Sequence, residues 1–176
     1  MANTDLKFFT NEENRDLYNR FAAILKSNTQ FFDILVGYFR SSGFFKMYPS
    51  LEDVEKIRIL VGLNIDRFTV KIIDRSSMQA QFIGVPEKES KKIISEEIQN
   101  EFEEADASPT IEKGARIFIE WLKTGKLEMR LYTQNPIHAK VYILRKNPEK
   151  VPDMFGCVIT GSSNFSQAGL IDNLEF

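Results

Sequence analysis

This chain of 176 residues has one cysteine, Cys157, and one histidine, His138. A single cysteine excludes an intrachain disulfide and fits a reducing compartment. One histidine and one cysteine also leave no credible transition-metal site, so no metal and no cofactor are expected. Long apolar runs are missing as well. Stretches such as Ile34-Leu35-Val36 are far shorter than the roughly 20 residues that span a bilayer. The start, Met1 to Thr10, lacks the basic flank and apolar centre of a signal peptide. The expectation is a soluble cytoplasmic protein without a membrane partner. Nor does either sign of charge dominate: 23 Lys+Arg face 25 Asp+Glu, a formal net charge of -2. That excludes a strongly basic nucleic-acid coat, so an anionic ligand has to be met by a local patch.

With 43% hydrophobic and 27% charged residues, the composition is that of an ordinary globular protein. The length suits one domain over residues 1–176. There is no repeat and no low-complexity tract. Apolar residues at Leu17, Tyr18, Phe21, Ala22, Ile24 and Leu25 recur at helical spacing and predict an amphipathic helix over residues 11–26, ended by Ser27-Asn28. Residues 30–39 are rich in aromatic and β-branched side chains and read as a buried strand. A short helix over 44–48, ahead of Pro49, and a second strand over 55–63 follow, and such a crossover implies a parallel pair. Residues 66–81 fit neither period. Residues 86–106 read as an acidic helix, and 108–123 as a helix with Ile111, Ala115, Ile117, Phe118, Trp121 and Leu122 on its stripe and Gly125 at its end. Strands are expected over 126–132, 138–144 and 156–160, with a hairpin loop around 147–155, a tight turn at 161–164 and a helical turn over 165–170. Strands mixed with helices predict an α/β layered domain.

The chemistry-bearing residues fall in the last third. Side chains at i and i+2 of a strand share a face, so His138 and Lys140 project together. A lone H-x-K is ordinarily just the polar, outward face of a strand. Here it is joined by an apolar strand that ends in Gly161-Ser162-Ser163-Asn164, and then by Asn173-x-Glu175.

These residues resemble the HKD motif of the phospholipase D superfamily. IHAKVYILRK, GCVITGSSNFSQAGL and NLEF are similar to the phospholipase D-like domains at the N-termini of some bacterial helicases and in related restriction nucleases. DILVGYFRSSGF and KIRILVGL fit the start of the same fold. The resemblance implies a mixed, mainly parallel sheet flanked by helices on both faces. It implies a metal-independent nuclease acting on DNA or RNA, DNA foremost, through a phosphohistidine. It also implies an excised N-terminal part of a longer protein with helicase or restriction-type domains.

Imidazole attacks phosphorus without charge repulsion, and His138 matches the nucleophile. Lys140, Ser162 and Asn164 would donate to the phosphoryl oxygens, and Glu175 would orient the histidine. Two departures stand out. The position five residues after the lysine, often Asp in the family, is Arg145, and the stretch from Lys140 to Gly161 is long. Arg145 and Lys146 are candidate substrate-binding residues. The family reaction uses two histidines per site and this chain has one, so a complete site requires a homodimer joined through the motif face. A non-catalytic nucleic-acid-binding or dimerisation module is the alternative. A lipid phosphodiesterase ranks below both, for want of an amphipathic anchor.

Overall fold

The computed structural model describes residues 17–65, 69, 81–83, 109–132, 134–135 and 137–172. Helix α1 (Leu17–Lys26) leads into β1 (Thr29–Phe39), helix α2 (Ser41–Leu51), β2 (Lys56–Ile65) and the three-residue β3 (Gln81–Ile83). Helix α3 (Pro109–Thr124), β4 (Leu127–Tyr132), β5 (Lys140–Lys146), β6 (Gly156–Thr160) and a π-helical turn, Ala168–Asp172, complete the order. The acidic helix expected over 86–106, the ambiguous stretch 66–80 apart from residue 69, and the start of the first helix lie outside the described residues.

The six strands form one mixed sheet in the order β3-β4-β2-β1-β5-β6. The β1–β2, β2–β4 and β3–β4 pairs are parallel, while β1–β5 and β5–β6 are antiparallel. The parallel β1–β2 pair expected from the intervening helix is therefore present, and the mixed α/β class holds. Among the described residues the helices lie on one face of the sheet. Phe21 of α1 meets Phe32 and Tyr142, and Phe44 of α2 meets Phe118 and Trp121 of α3. The second helical layer of the expected fold is not among them.

Period-2 alternation sets the core. Phe32, Ile34 and Val36 of β1, Ile57, Ile59 and Val61 of β2, and Leu127, Met129 and Leu131 of β4 are buried under the helices. Burying each such side chain contributes about 1.5–3 kcal/mol. The opposite face is half-covered and charged at its centre. There Asp33 takes two hydrogen bonds from Arg58, at 2.6 and 2.7 Å, and Lys56 bridges to Glu128.

Three expectations change. Helix α2 runs from Ser41 through Pro49 to Leu51 instead of stopping before the proline. A proline there removes one helical hydrogen bond, and the burial of Met47, Tyr48 and Leu51 around it holds the last turn in place. Strand β5 begins at Lys140, so His138 stands just before it. The polar set of β5 also points inward: Lys140, Tyr142, Leu144 and Lys146 are buried, while Ile143 and Arg145 are exposed. Long stems bury their methylenes and their tips find partners. The Tyr142 hydroxyl donates to the Ser163 carbonyl at 2.6 Å. Strand β6 is apolar as expected, but it forms the sheet edge, with Val158 60% exposed.

Candidate active site

The motif assembles at the carboxyl ends of the parallel strands β1 and β2, the usual place for a ligand in an open α/β sheet. Gly62 in β2 allows the segment before β5 to cross close by, because a Cβ there would collide with Ile137. The Ile137 N–H donates to the Gly62 carbonyl at 3.4 Å. That crossing delivers His138 to the rim, where its side chain is exposed. Lys140, two residues on, is only 6% exposed, and its ammonium lies 2.9 Å from each ring nitrogen of His138. It also donates to the His138 carbonyl at 3.3 Å. An ammonium has donors only, so it bonds whichever ring nitrogen carries the lone pair.

The second half of the motif is tied to the first through backbone. The Gly161 N–H donates to the Lys140 carbonyl at 3.3 Å, and the Tyr142–Ser163 bond pins the turn from beneath. Asn164 follows the turn, and its Oδ1 accepts the Tyr38 N–H at 3.1 Å. Next to it Phe165 bridges Phe39, their rings stacked 5.5 Å apart, and its carbonyl accepts the Arg40 N–H at 3.0 Å. Two glycines make this approach possible. A Cβ on Gly43 would stand 2.9 Å from the Phe165 backbone, and one on Gly169 would strike the Asn164 carbonyl.

The structure thus gathers His138, Lys140 and Asn164 at one end of the sheet, with Ser162 exposed on the connecting turn. Glu175 and Asn173 lie outside the described residues. Arg145 and Lys146 are not brought to this end. They stand five and six residues along β5 from Lys140, about 20 Å away for the latter at the usual strand rise. Arg145 projects from the opposite face, where it meets Asp33 at 3.3 Å and covers the Phe31 ring at 4.5 Å. Lys146 is 7% exposed, and its ammonium donates to the Ile24 carbonyl at 2.9 Å, to the Ser27 carbonyl at 2.6 Å and to the Ser27 hydroxyl. Burial pushes the Lys146 ammonium below its ordinary pKa. It caps the end of α1, so its reassignment from substrate contact to structural donor follows from its partners.

Two neighbours escaped the sequence reading. The Tyr38 ring meets the His138 ring edge-on at 6.2 Å, and the Arg40 guanidinium stands 6.0 Å from the Tyr38 ring centroid. Both lie where β1 ends and α2 begins, so the carboxyl-end rule for parallel strands was the signal that pointed to them. Cys157 pairs with Leu144 on the helix side of β6, half-buried, and burial pushes its thiol pKa up, away from a nucleophile's range. Among the described residues no group of three or more His, Cys, Asp and Glu side chains is placed to hold a metal ion. No helix among them is long and apolar enough to cross a membrane. No protein-family model matches the chain, and no curated protein matches it significantly.

Proposed function

We propose that this chain is a metal-independent phosphodiesterase domain of the phospholipase D type, acting on nucleic acid, DNA foremost, and working as a homodimer. In the parent polypeptide it precedes helicase or restriction-type domains. The observation that carries the reading is the contact between the buried Lys140 ammonium and both ring nitrogens of the one histidine, at 2.9 Å, at the same end of the sheet as Asn164. A cation held against an exposed imidazole at the carboxyl end of a sheet suits a phosphodiester.

The mechanism follows from these groups. A His138 nitrogen donates its lone pair to phosphorus, and the N–P bond forms as the bond to the leaving oxygen breaks. Lys140 and the Asn164 amide nitrogen donate to the non-bridging oxygens as charge gathers on them, and Ser162 on the turn adds a hydroxyl donor. His138 of a second copy, protonated, gives its proton to the leaving oxygen. It then takes a proton from water, which attacks phosphorus and releases the first imidazole. Each site therefore draws one histidine from each of two chains, and Glu175 is proposed to orient it.

The test is cleavage of single- and double-stranded DNA and RNA in excess EDTA, wild type against His138→Ala. Cleavage by the wild type alone is expected, and equal cleavage by both contradicts the reading. The second reading is a non-catalytic nucleic-acid-binding module, motivated by Arg145 at the position where the family often has Asp. Salt-dependent binding without turnover by a verified dimer would select it. Hydrolysis of phosphatidylcholine vesicles would instead select the lipid phosphodiesterase.

A further inference from the structure

We infer that Tyr38 is a positioning residue that holds the His138 ring and the Asn164 carboxamide in one arrangement. This rests on the proposed function for its catalytic readout, though not for its spectroscopic one.

Strand β1 changes partners near its end. Its ladder with β5 ends at the Val36–Lys140 pair, and its register with β2 shifts between Val36 and Tyr38. A bulge of this kind re-aims the side chain that follows it. Beyond it β1 parts from β5, and the turn after β6 takes β5's place, with Phe39 bridging Phe165. Tyr38 is therefore the residue at which the two halves of the motif meet β1. Its N–H donates to Asn164 Oδ1 at 3.1 Å, which leaves the amide nitrogen of that side chain as the donor for a ligand. Its ring meets the His138 ring at 6.2 Å with an interplanar angle of 83°. This edge-to-face geometry is the one that the aromatic quadrupole favours. The tyrosine ring is itself backed by Arg40, at 6.0 Å from its centroid.

His138 needs such a support. It is exposed, it precedes β5 rather than sitting in its ladder, and Lys140 is shared with the substrate once a phosphate binds. Losing the Tyr38 ring leaves the imidazole free to rotate between rotamers, and catalysis is sensitive to misplacement of about 1 Å. The backbone half of the role survives substitution, because any residue but proline keeps the N–H that Asn164 accepts.

The experiment uses the full chain with Tyr38→Phe and Tyr38→Leu. Because His138 is the sole histidine, its two ring protons give an unambiguous NMR signature at every pH. Tyr38→Leu is expected to shift and broaden both resonances, and to lower kcat about 10- to 100-fold with KM unchanged. Tyr38→Phe is expected to restore both. Thermal melts of all three proteins check folding, and Tyr38→Met replaces the leucine variant if that one melts early. Unmoved resonances in the leucine variant overturn the inference, as does a raised KM with intact kcat. If the wild type cleaves nothing but the resonances move as described, the positioning role stands and the proposed activity falls.

Discussion

Asn164 has two ends, and they do different work. Its carbonyl oxygen accepts the Tyr38 N–H at 3.1 Å, and its amide nitrogen is the end proposed to donate to a phosphoryl oxygen. Asn164→Asp keeps the acceptor and replaces the donor with negative charge. It is expected to melt like the wild type while kcat/KM falls about 100- to 1,000-fold, the usual loss for one oxyanion donor. Asn164→Ala removes both ends and leaves a part-buried N–H unpaired. A further stability loss of about 1–3 kcal/mol is expected in urea titration. Lys146 predicts the reverse pattern. Lys146→Met strips the donor from the Ile24 and Ser27 carbonyls at the end of α1. Stability falls by about 1–3 kcal/mol, and cleavage by the folded protein is unchanged, because the ammonium stands at the far end of β5 from the motif. Those two lysines stand at the two ends of β5, both on its buried side. Only their partners separate them: an imidazole for Lys140, helix-end carbonyls for Lys146.

The strands were largely legible from composition and period. β1, β2, β4 and β6 fall within two residues of where apolar alternation placed them, and Gly125, at φ 75, ends the register of α3 as expected. Proline misled at α2, because packing of Met47, Tyr48 and Leu51 outweighs one lost helical bond. The inward face of β5 was not legible, since nothing local reveals that the tips of Tyr142 and Lys146 find buried carbonyls. For Tyr38 the carboxyl-end rule gives the place but not the partner, because its contact with Asn164 is 126 residues away in sequence. On the open face, the β2–β4 pair carries a titrating contact. The Lys56 ammonium donates to Glu128 and holds that carboxyl below its ordinary pKa. A lowered carboxylate pKa contributes stability that is present above the unfolded-state value and is lost as pH falls through the folded one. Both side chains are part-exposed, so the contribution is small, within about 1 kcal/mol. Wild type is expected to exceed Glu128→Gln in urea midpoint at pH 6 and to match it once pH has fallen below the folded value. A constant difference across that range contradicts the assignment.

One chain carries half of the proposed chemistry, and this constrains the assembly. Joining two copies through the motif face pairs His138 with His138 and Lys140 with Lys140 about a two-fold axis, which concentrates positive charge in a molecule whose net charge is -2. A dimer with one His138→Ala chain lacks either the nucleophile or the acid. Activity of randomly mixed, co-expressed dimers should therefore fall as the square of the wild-type fraction, to about a quarter at equal mixing. A linear fall, to about half, means that each chain works alone. The most direct measurement is the intact mass of the protein quenched in alkali during turnover of a short oligonucleotide in EDTA, since a phosphoramidate at His138 survives base. The account predicts an added nucleotidyl phosphate that maps to the peptide containing His138, returns to zero when substrate is exhausted, and is absent from His138→Ala. Turnover that proceeds with no adduct on His138, or at full rate in the alanine variant, contradicts it.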